Sequence, residues 1–449
     1  MPRRVLAVLV LLAAAAVLRG VAWAAALPAW QGPDEHAHYA YVERLADGEL
    51  PPAQRGAHEL SAAVRASLEA TAWERFRTRD PARPLTARQL RALPPEPPGL
   101  STDGVGAVGA TPYPPLYYAL AVPAYALPGL HTATARLFAV RTVSALLAAL
   151  LVVATFLLVR EVTGRSALAL AGAALASLPP MVGQASGTAN PDVLLTACAA
   201  GLAWSLVRLR RDPARRSRWL HAVAWGVATL LTKPPAPAVA VALVLGLLLV
   251  PAAVASRRLA VAVTAAASGI GAAVAAAALL AHERRENLAV AAHAVLDYYD
   301  PTSERTARGW IVWVESGVGG FGWQSVWLPS SAYWLAVVVV AGGAAAAAVG
   351  LARDRTRAHA RFAAGVAGAL LAYVAALHAF EATELVRGRE HVLQGRYLLP
   401  LVPVAVAGFL AGCATLPARA RATVVGAALA VWGLLGVLGL AATAEYFGA

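Results

Sequence analysis

The chain has 449 residues, of which 59% are hydrophobic and only 14% are charged, whereas soluble globular proteins carry about 25% charged residues. This composition argues against a soluble enzyme and against a disordered chain. A disulfide-stapled scaffold is equally disfavoured, because both cysteines, Cys198 and Cys413, lie in apolar stretches. The net charge of +13 raises the question of nucleic-acid binding. We expect none, because the basic residues are spread over short loops between long apolar segments.

The apolar residues form stretches long enough to cross a bilayer, which takes about 20 residues of helix. The run Leu259 to Ala281, for example, contains 23 residues without a charge. We predict an all-α, polytopic transmembrane bundle with about eleven spans, forming a single membrane domain over residues 1–449. The predicted spans are 5–27, 137–159, 167–184, 193–207, two short helices within 219–250 that meet at 232–235, 259–281, 333–352, 362–380, 398–416 and 423–443.

The basic residues favour one orientation of this bundle. Eighteen arginines lie in every second loop, together with only three acidic residues. By the positive-inside rule these loops and the N-terminus face the cytoplasm and the C-terminus faces outward, in the plasma membrane. Residues 30–134 then form a large first external loop with amphipathic helices, and residues 282–332 form a second, Trp-rich external loop. The first apolar run also fits a secretory signal peptide, which would leave the first loop outside as well.

The first external loop opens with a charged motif, Gln-Gly-Pro-Asp-Glu-His-Ala-His-Tyr, from Gln31 to Tyr39. In structural terms it is the start of a helix over 33–47, with acidic residues in the first turn. In functional terms Asp34 and Glu35 place adjacent carboxylates at the membrane surface for acid–base or metal chemistry. Asp34 and His38 are four residues apart and share a helix face. With Glu35 they could hold a divalent cation such as Mg²⁺ or Mn²⁺, although the spacing matches no strict metal motif.

Three further motifs place polar residues at the ends of predicted spans. Asp192, in Asn-Pro-Asp, is either a first-turn acid or a second carboxylate in the same external cavity. Lys233, the only lysine in the chain, lies at a helix break and either snorkels to the surface or belongs to a site. Arg396 follows Gln394 and precedes Tyr397; its guanidinium group either anchors the span or binds a phosphate.

Aromatic residues flank these motifs. Tyr113 lies in a Pro-rich turn before the second span, and Trp323 is one of five tryptophans between residues 310 and 334. Membership of an interfacial aromatic belt explains both residues. The alternative is that they line a binding site, where a tryptophan would stack against a sugar or a polyprenyl chain.

The order of these motifs resembles that of the GT-C superfamily, which contains polytopic glycosyltransferases such as protein O-mannosyltransferases and lipid A aminoarabinose transferases. Within it the closest resemblance is to a bacterial branch marked by Pro-Asp-Glu-x-x-His and Gln-Gly-Arg-Tyr. The resemblance implies that the essential carboxylate is Asp34 or Glu35 and that Asp192 is the second acid. It also implies that Lys233 and Arg396 surround the donor phosphate. Members often carry a large soluble C-terminal domain, which we do not expect here.

The residues themselves also favour glycosyl transfer from a lipid-linked donor. A sugar phosphate leaves without protonation, so the reaction needs a base near the acceptor hydroxyl and cations near the phosphate. The sequence contains no P-loop for a nucleotide sugar. We therefore expect a polyprenyl-phosphate-linked sugar as donor and a cell-envelope glycan, lipid or protein as acceptor. A transporter or flippase of lipid-linked saccharides would use the same cations, and a non-catalytic membrane scaffold is the third alternative.

Overall fold

The computed structural model describes residues 2–49, 60–71, 73, 110, 112–253, 315–354, 357–386 and 393–448. These residues form a helical bundle, and their only strands are a two-residue antiparallel pair, which confirms the predicted fold class. The α-helices are α1 (Arg3–Ala26), α2 (Glu35–Ala46), α3 (Ala62–Ala70), α4 (Leu116–Tyr125), α5 (Ala133–Thr163), α6 (Ser166–Ser177), α7 (Pro180–Ser186), α8 (Asp192–Arg211), α9 (Arg216–Leu230), α10 (Ala236–Val244), α11 (Val250–Ala253), α12 (Ser330–Ala352), α13 (Ala358–Val386), α14 (Val402–Cys413) and α15 (Ala418–Phe447). A π-helical turn (Leu245–Leu249) joins α10 to α11, a 3₁₀ helix (Gly395–Leu401) leads into α14, and the strands are β1 (Gly320–Phe321) and β2 (Val326–Trp327).

Seven described helices are long and apolar enough to cross a membrane. They are α1, α5, α8, α12, α13, the 3₁₀ helix with α14, and α15. An eighth span arises if α6 and α7, which meet at an angle of 71°, count as one. The bend falls at Pro179 and Pro180, where the chain cannot continue a regular helix. The figure of eleven spans stays a prediction, because the segment 259–281 lies outside the described residues.

The local sequence sets where the spanning helices begin and end. The Thr132 side chain accepts a hydrogen bond from the Ala135 amide and starts α5, and Gly164 ends the helix in the left-handed conformation, with a φ of +67°. Where α12 contacts α14, the helices are too close for a side chain at Gly350. A Cβ atom on Gly350 would lie 2.0 Å from the Gly412 carbonyl oxygen. Small residues thus allow these two helices to approach closely.

The helix α8 separates two chemically different ends of the bundle. It has 20 residues, so its ends are about 30 Å apart. At its C-terminal end Arg211 forms an ion pair with Glu161 of α5, and close by Arg165 donates to the Ala414 carbonyl at 2.8 Å. Asp192 lies at the other end. The motif residue Asp192 and the basic loops therefore occupy opposite ends of the bundle, while the orientation of these ends in the cell stays a prediction.

The described part of the first long loop packs on the bundle through aromatic residues. The helix predicted over 33–47 is α2, and α3 is a further helix of this loop, as expected from its amphipathic character. The α2 and α4 helices share an apolar cluster with the starts of α5 and α8. Of the second long loop only residues 315–332 are described, and they contain the two strands. The predicted domain boundaries stay predictions.

Candidate functional site

Four charged side chains that are far apart in the sequence meet at one end of the bundle. Lys233 Nζ lies 2.5 Å from Asp192 Oδ1, and Arg396 Nη2 lies 3.2 Å from Asp34 Oδ2. The two pairs interact electrostatically, because Asp34 is within range of Lys233 and Asp192 is within range of Arg396. Together they form the polar cluster, defined here as Asp34, Asp192, Lys233 and Arg396. The fold thus brings together residues from four separate motifs.

Asp34 is the member of the polar cluster that solvent reaches. Its side chain is 49% exposed, against 9% for Arg396. The residue precedes α2 in the left-handed conformation, with a φ of 58°, which residues other than glycine adopt mainly where the surroundings hold them. Burial opposes ionisation of the carboxyl and is the largest single effect, but the surrounding interactions, chiefly the charge and hydrogen bond of Arg396, together outweigh it and hold the pKa of Asp34 below its usual value. Asp34 is therefore an ionised, accessible carboxylate.

Asp192 and Lys233 form the inner part of the polar cluster. Their side chains are only 6% and 3% exposed. The Asn190 side chain accepts a hydrogen bond from the Asp192 amide at 2.9 Å and fixes the start of α8. Lys233 lies between α9 and α10, where its backbone carbonyl accepts a hydrogen bond from the Ala236 amide. Within the described residues Asp192 Oδ2 and Arg396 Nε are buried and have no hydrogen-bond partner, so both pairs retain unused bonding capacity.

Tyrosine rings border the two cations. Lys233 Nζ lies 5.3 Å from the ring centroid of Tyr397 and 6.0 Å from that of Tyr113, and the Arg396 guanidinium lies 5.7 Å from Tyr397. Tyr397 is fixed through its backbone, because the Tyr373 hydroxyl donates to its carbonyl at 2.8 Å. Both tyrosines thus lie where cation–π attraction stabilises the positive charges.

His38 belongs to the wall of the site. Its Nδ1 forms a 2.9 Å hydrogen bond with the Tyr118 hydroxyl, and its backbone amide donates to the Asp34 carbonyl. Burial lowers the pKa of His38 to about 3, so the imidazole is neutral at physiological pH. The neutral ring adds no charge to the polar cluster, and Tyr118 is held in turn by stacking on Tyr41 at 3.8 Å.

Glu35 faces away from the polar cluster, and the expectation that it acts beside Asp34 has no support in the geometry. Its carboxylate is fully buried and pairs with Arg141 through two hydrogen bonds of 2.8 and 2.6 Å. It also accepts from the Ala189 amide at 2.9 Å and the Gly32 amide at 3.3 Å. Arg141 further donates to three backbone carbonyls at the end of α1, those of Ala24, Leu27 and Pro28. We call this arrangement the Glu35–Arg141 node.

The metal site suggested by the sequence is not formed by these side chains. Among the described residues no three His, Cys, Asp or Glu side chains come close enough to hold a metal ion. The Glu35 carboxylate is saturated by Arg141 and backbone amides, and His38 Nδ1 is engaged by Tyr118. The set Asp34, Glu35 and His38 therefore does not fit a divalent cation.

Two other predicted binding residues lie beside the polar cluster rather than in it. Trp323 donates to the Trp30 carbonyl at 3.1 Å and packs 5.9 Å from Trp73, so it belongs to a neighbouring aromatic group. Gln394 immediately precedes the 3₁₀ helix that carries Arg396, and its backbone carbonyl accepts from the Tyr397 amide at 3.0 Å. Gln394 thus shapes the turn that presents Arg396.

Sequence analysis missed Arg141 and Tyr118. Arg141 lies inside the predicted span 137–159, and its charge within an apolar run is the signal that could have identified it, since charged residues in spans are costly and usually paired. Tyr118 belongs to the Pro-Pro-Leu-Tyr-Tyr motif before that span. Nothing in the sequence distinguishes it there from its neighbour Tyr117.

Comparison with known proteins gives one match. Residues 17–405 match the family described as "Predicted membrane protein (DUF2142)", so the match covers most of the chain. No curated protein and no solved structure matches the chain.

Proposed function

This chain belongs to the DUF2142 family of predicted membrane proteins, and we propose that it is a membrane glycosyltransferase of the GT-C type. It would transfer a sugar from a polyprenyl-phosphate donor to a hydroxyl group of a cell-envelope acceptor. The observation that carries the proposal is the polar cluster, in which an accessible carboxylate lies beside two buried cations at the end of an apolar bundle. A base and cations near a phosphate are what this reaction needs.

Arg396 and Lys233 are the groups that hold the donor phosphate. Both have nine-tenths or more of their side-chain surface buried, which strengthens their attraction for an anion. Arg396 Nε is free of protein partners within the described residues, so the guanidinium can bind two phosphate oxygens in parallel. The Tyr397 ring lies next to both cations.

Asp34 is the base. The acceptor oxygen attacks the anomeric carbon of the sugar while the bond from that carbon to the phosphate oxygen breaks. The bonding electrons stay with the polyprenyl phosphate, whose charge Arg396 and Lys233 compensate, and the hydroxyl proton passes to Asp34. No proton is needed on the leaving group, because Arg396 and Lys233 compensate its charge.

Binding of the donor would also strengthen the base. In the free protein Arg396 lowers the pKa of Asp34. A phosphate on Arg396 competes with Asp34 for the same guanidinium group, so the pKa of Asp34 rises when the donor is bound. The carboxylate therefore gains proton affinity at the stage of the reaction that uses it.

The test compares Asp34→Asn with Asp47→Asn, a control on the exposed C-terminal end of α2. Each purified variant is incubated with labelled polyprenyl-phosphate sugar and a cell-envelope extract. We expect Asp34→Asn to lower sugar transfer about 10²–10⁴-fold without loss of donor binding, as removal of a general base does. Asp47→Asn should match the wild type.

Two outcomes would contradict the proposal. Near-normal transfer by Asp34→Asn would remove the base assignment. Movement of the labelled lipid across a vesicle membrane by the wild type, without any new glycosidic bond, would identify a transporter instead.

A further inference from the structure

A second polar region lies at the opposite end of α8, about 30 Å from the polar cluster. The described residues leave a cavity of about 370 Å³ between the ends of α5 and α8, the π-helical turn with α11, and the start of α13. Its volume falls within the range of about 300–1,000 Å³ that is usual for ligand pockets. None of its lining residues belongs to the polar cluster or to the Glu35–Arg141 node.

The cavity wall carries an excess of positive charge. Arg210, Arg211 and Arg361 line it, and Arg211 and Arg361 both act electrostatically on Arg210. Arg211 is paired with Glu161. Within the described part of the chain Arg210 and Arg361 form no ion pair. Two guanidinium groups on different helices therefore line the same cavity, and no acidic side chain among the described residues neutralises their charge. Like charges that line one cavity and act on one another favour an anion between them.

The start of α13 does not supply a second anion site. The Asp354 carboxylate already accepts hydrogen bonds from the His359 amide at 2.8 Å and the Ala360 amide at 3.2 Å. The helix end is therefore capped by the protein itself. Any anion in the cavity would be held by the guanidinium groups of Arg210 and Arg361.

Apart from the three arginines and His359, the cavity wall is apolar. Val162 of α5, Leu248 of the π-helical turn and Phe362 of α13 lie around the arginines. A soluble anion gains nothing from these side chains, whereas a phospholipid presents a phosphate and the beginning of its acyl chains together. Basic pockets between membrane helices commonly bind anionic headgroups for this reason.

We infer that this cavity binds the headgroup of an anionic phospholipid, with the phosphate between Arg210 and Arg361 and the first acyl carbons against Val162, Leu248 and Phe362. The site lies at the ends of spanning helices, which is the depth of lipid headgroups. It requires no particular activity of the polar cluster.

The experiment titrates the purified protein in a neutral detergent with dioleoyl phosphatidylglycerol and, separately, with dioleoyl phosphatidylcholine, with bound lipid counted by native mass spectrometry. We expect phosphatidylglycerol to bind and phosphatidylcholine to bind at least tenfold more weakly. Each arginine near an anionic lipid contributes about a fivefold gain in affinity, so Arg210→Gln/Arg361→Gln should weaken phosphatidylglycerol binding about 30-fold. The single variant Arg361→Gln, on an exposed side chain that can be replaced without unfolding, should weaken it about fivefold.

The matched control is Arg419→Gln, an exposed arginine at the start of α15 that does not line the cavity. It should bind phosphatidylglycerol as the wild type does. Equal binding by the double variant and the wild type, or equal binding of the two lipids, would overturn the inference. Displacement of the lipid by millimolar inorganic phosphate would show that the site takes free phosphate, and would overturn the assignment to a lipid.

Discussion

Asp34 and Glu35 are neighbours in the sequence, but their carboxylates have different environments. The Asp34 side chain is half exposed to solvent and contacts one guanidinium group, that of Arg396, whereas the Glu35 carboxylate makes all four of its hydrogen bonds inside the protein. Asp34 lies in the left-handed backbone conformation, with a φ of 58°, immediately before the first residue of α2, Glu35. A solvent-accessible carboxylate and a buried, structural one therefore stand side by side.

The first prediction at the residue scale concerns Arg396. Replacing it with lysine keeps the charge but removes the planar group that can bind two phosphate oxygens, so we expect Arg396→Lys to weaken donor binding roughly tenfold. Arg396→Ala should weaken it further, because loss of a buried charge partner costs about 2–5 kcal/mol. The measurement is equilibrium binding of a fluorescent polyprenyl-phosphate sugar. Arg136→Lys, which changes an arginine on α5 outside the polar cluster, is the control, and unchanged binding by both Arg396 variants would refute the assignment.

The second prediction at the residue scale concerns the Glu35–Arg141 node. Glu35→Gln leaves the Arg141 charge buried without a counter-ion, which destabilises proteins by about 3–5 kcal/mol. We expect a marked fall in the unfolding temperature of this variant in detergent. The double variant Glu35→Gln/Arg141→Gln should recover part of the lost thermal stability, because the node then contains no unpaired buried charge. A Glu35→Gln protein with wild-type thermal stability and no sugar transfer would instead give Glu35 a role in the reaction.

At the scale of elements, α2 and α4 are joined by a buried carboxyl group. Glu43 Oε1 accepts hydrogen bonds from Ser61 at 3.2 Å and from Tyr125 at 3.3 Å. Burial, which outweighs these bonds, raises the pKa of Glu43 to about 7; Asp47 acts in the same direction and Arg136 opposes it. The two hydrogen bonds favour the ionised carboxylate, but burial favours the neutral form more strongly, so the folded state is most stable when Glu43 carries its proton.

This pairing predicts a pH dependence. The unfolded chain ionises Glu43 near pH 4.5, whereas the folded protein does so near pH 7. The stabilisation is complete below about pH 4.5 and is lost as the pH rises towards 7, since the folded state then holds the extra proton. Between pH 4.5 and 7 the unfolding temperature of the wild type should fall by several degrees more than that of Glu43→Gln. A loss of a few kcal/mol in the free energy of unfolding produces a shift of roughly this size. Parallel curves for the two proteins would show that Glu43 is not responsible.

The helices could be predicted from the sequence far better than their contacts. Apolar runs, prolines and caps are local signals, and they predict where the spans α1, α5, α8 and α15 begin and end. They also predict the helix break at Lys233. The sequence predicts that the members of the polar cluster lie on the same side of the membrane, but not their contacts, since residues 34 and 396 are brought together by packing alone. Arg141 and Glu35 are 106 residues apart, and no local pattern marks their contact. The sequence also cannot distinguish the possible roles of Trp323, because an aromatic ring is equally suited to a protein core, an interfacial belt or a ligand-binding site.

For the whole molecule, the separation of the two ends of α8 predicts how the chain lies in the membrane. The polar cluster and the loop at His131 should be external, and the loop at Arg216 should be cytoplasmic. Both native cysteines are buried and unpaired, so they are first replaced by alanine. A membrane-impermeant maleimide should then label His131→Cys in intact cells and Arg216→Cys only after permeabilisation. The reverse pattern would invert the topology and end the proposal of an external glycosyltransferase.

The Glu35–Arg141 node has a consequence for biosynthesis. Arg141 lies in the first third of α5, a helix that must enter the membrane, where an unpaired charge is costly; the cost at the centre of a span is about 2.5–3.5 kcal/mol. All of its acceptors in the node precede it in the chain, because Ala24, Leu27, Pro28 and Glu35 have already left the ribosome when α5 emerges. Insertion of α5 beside α1 therefore neutralises the charge at once, while the remaining two thirds of the protein are still being made.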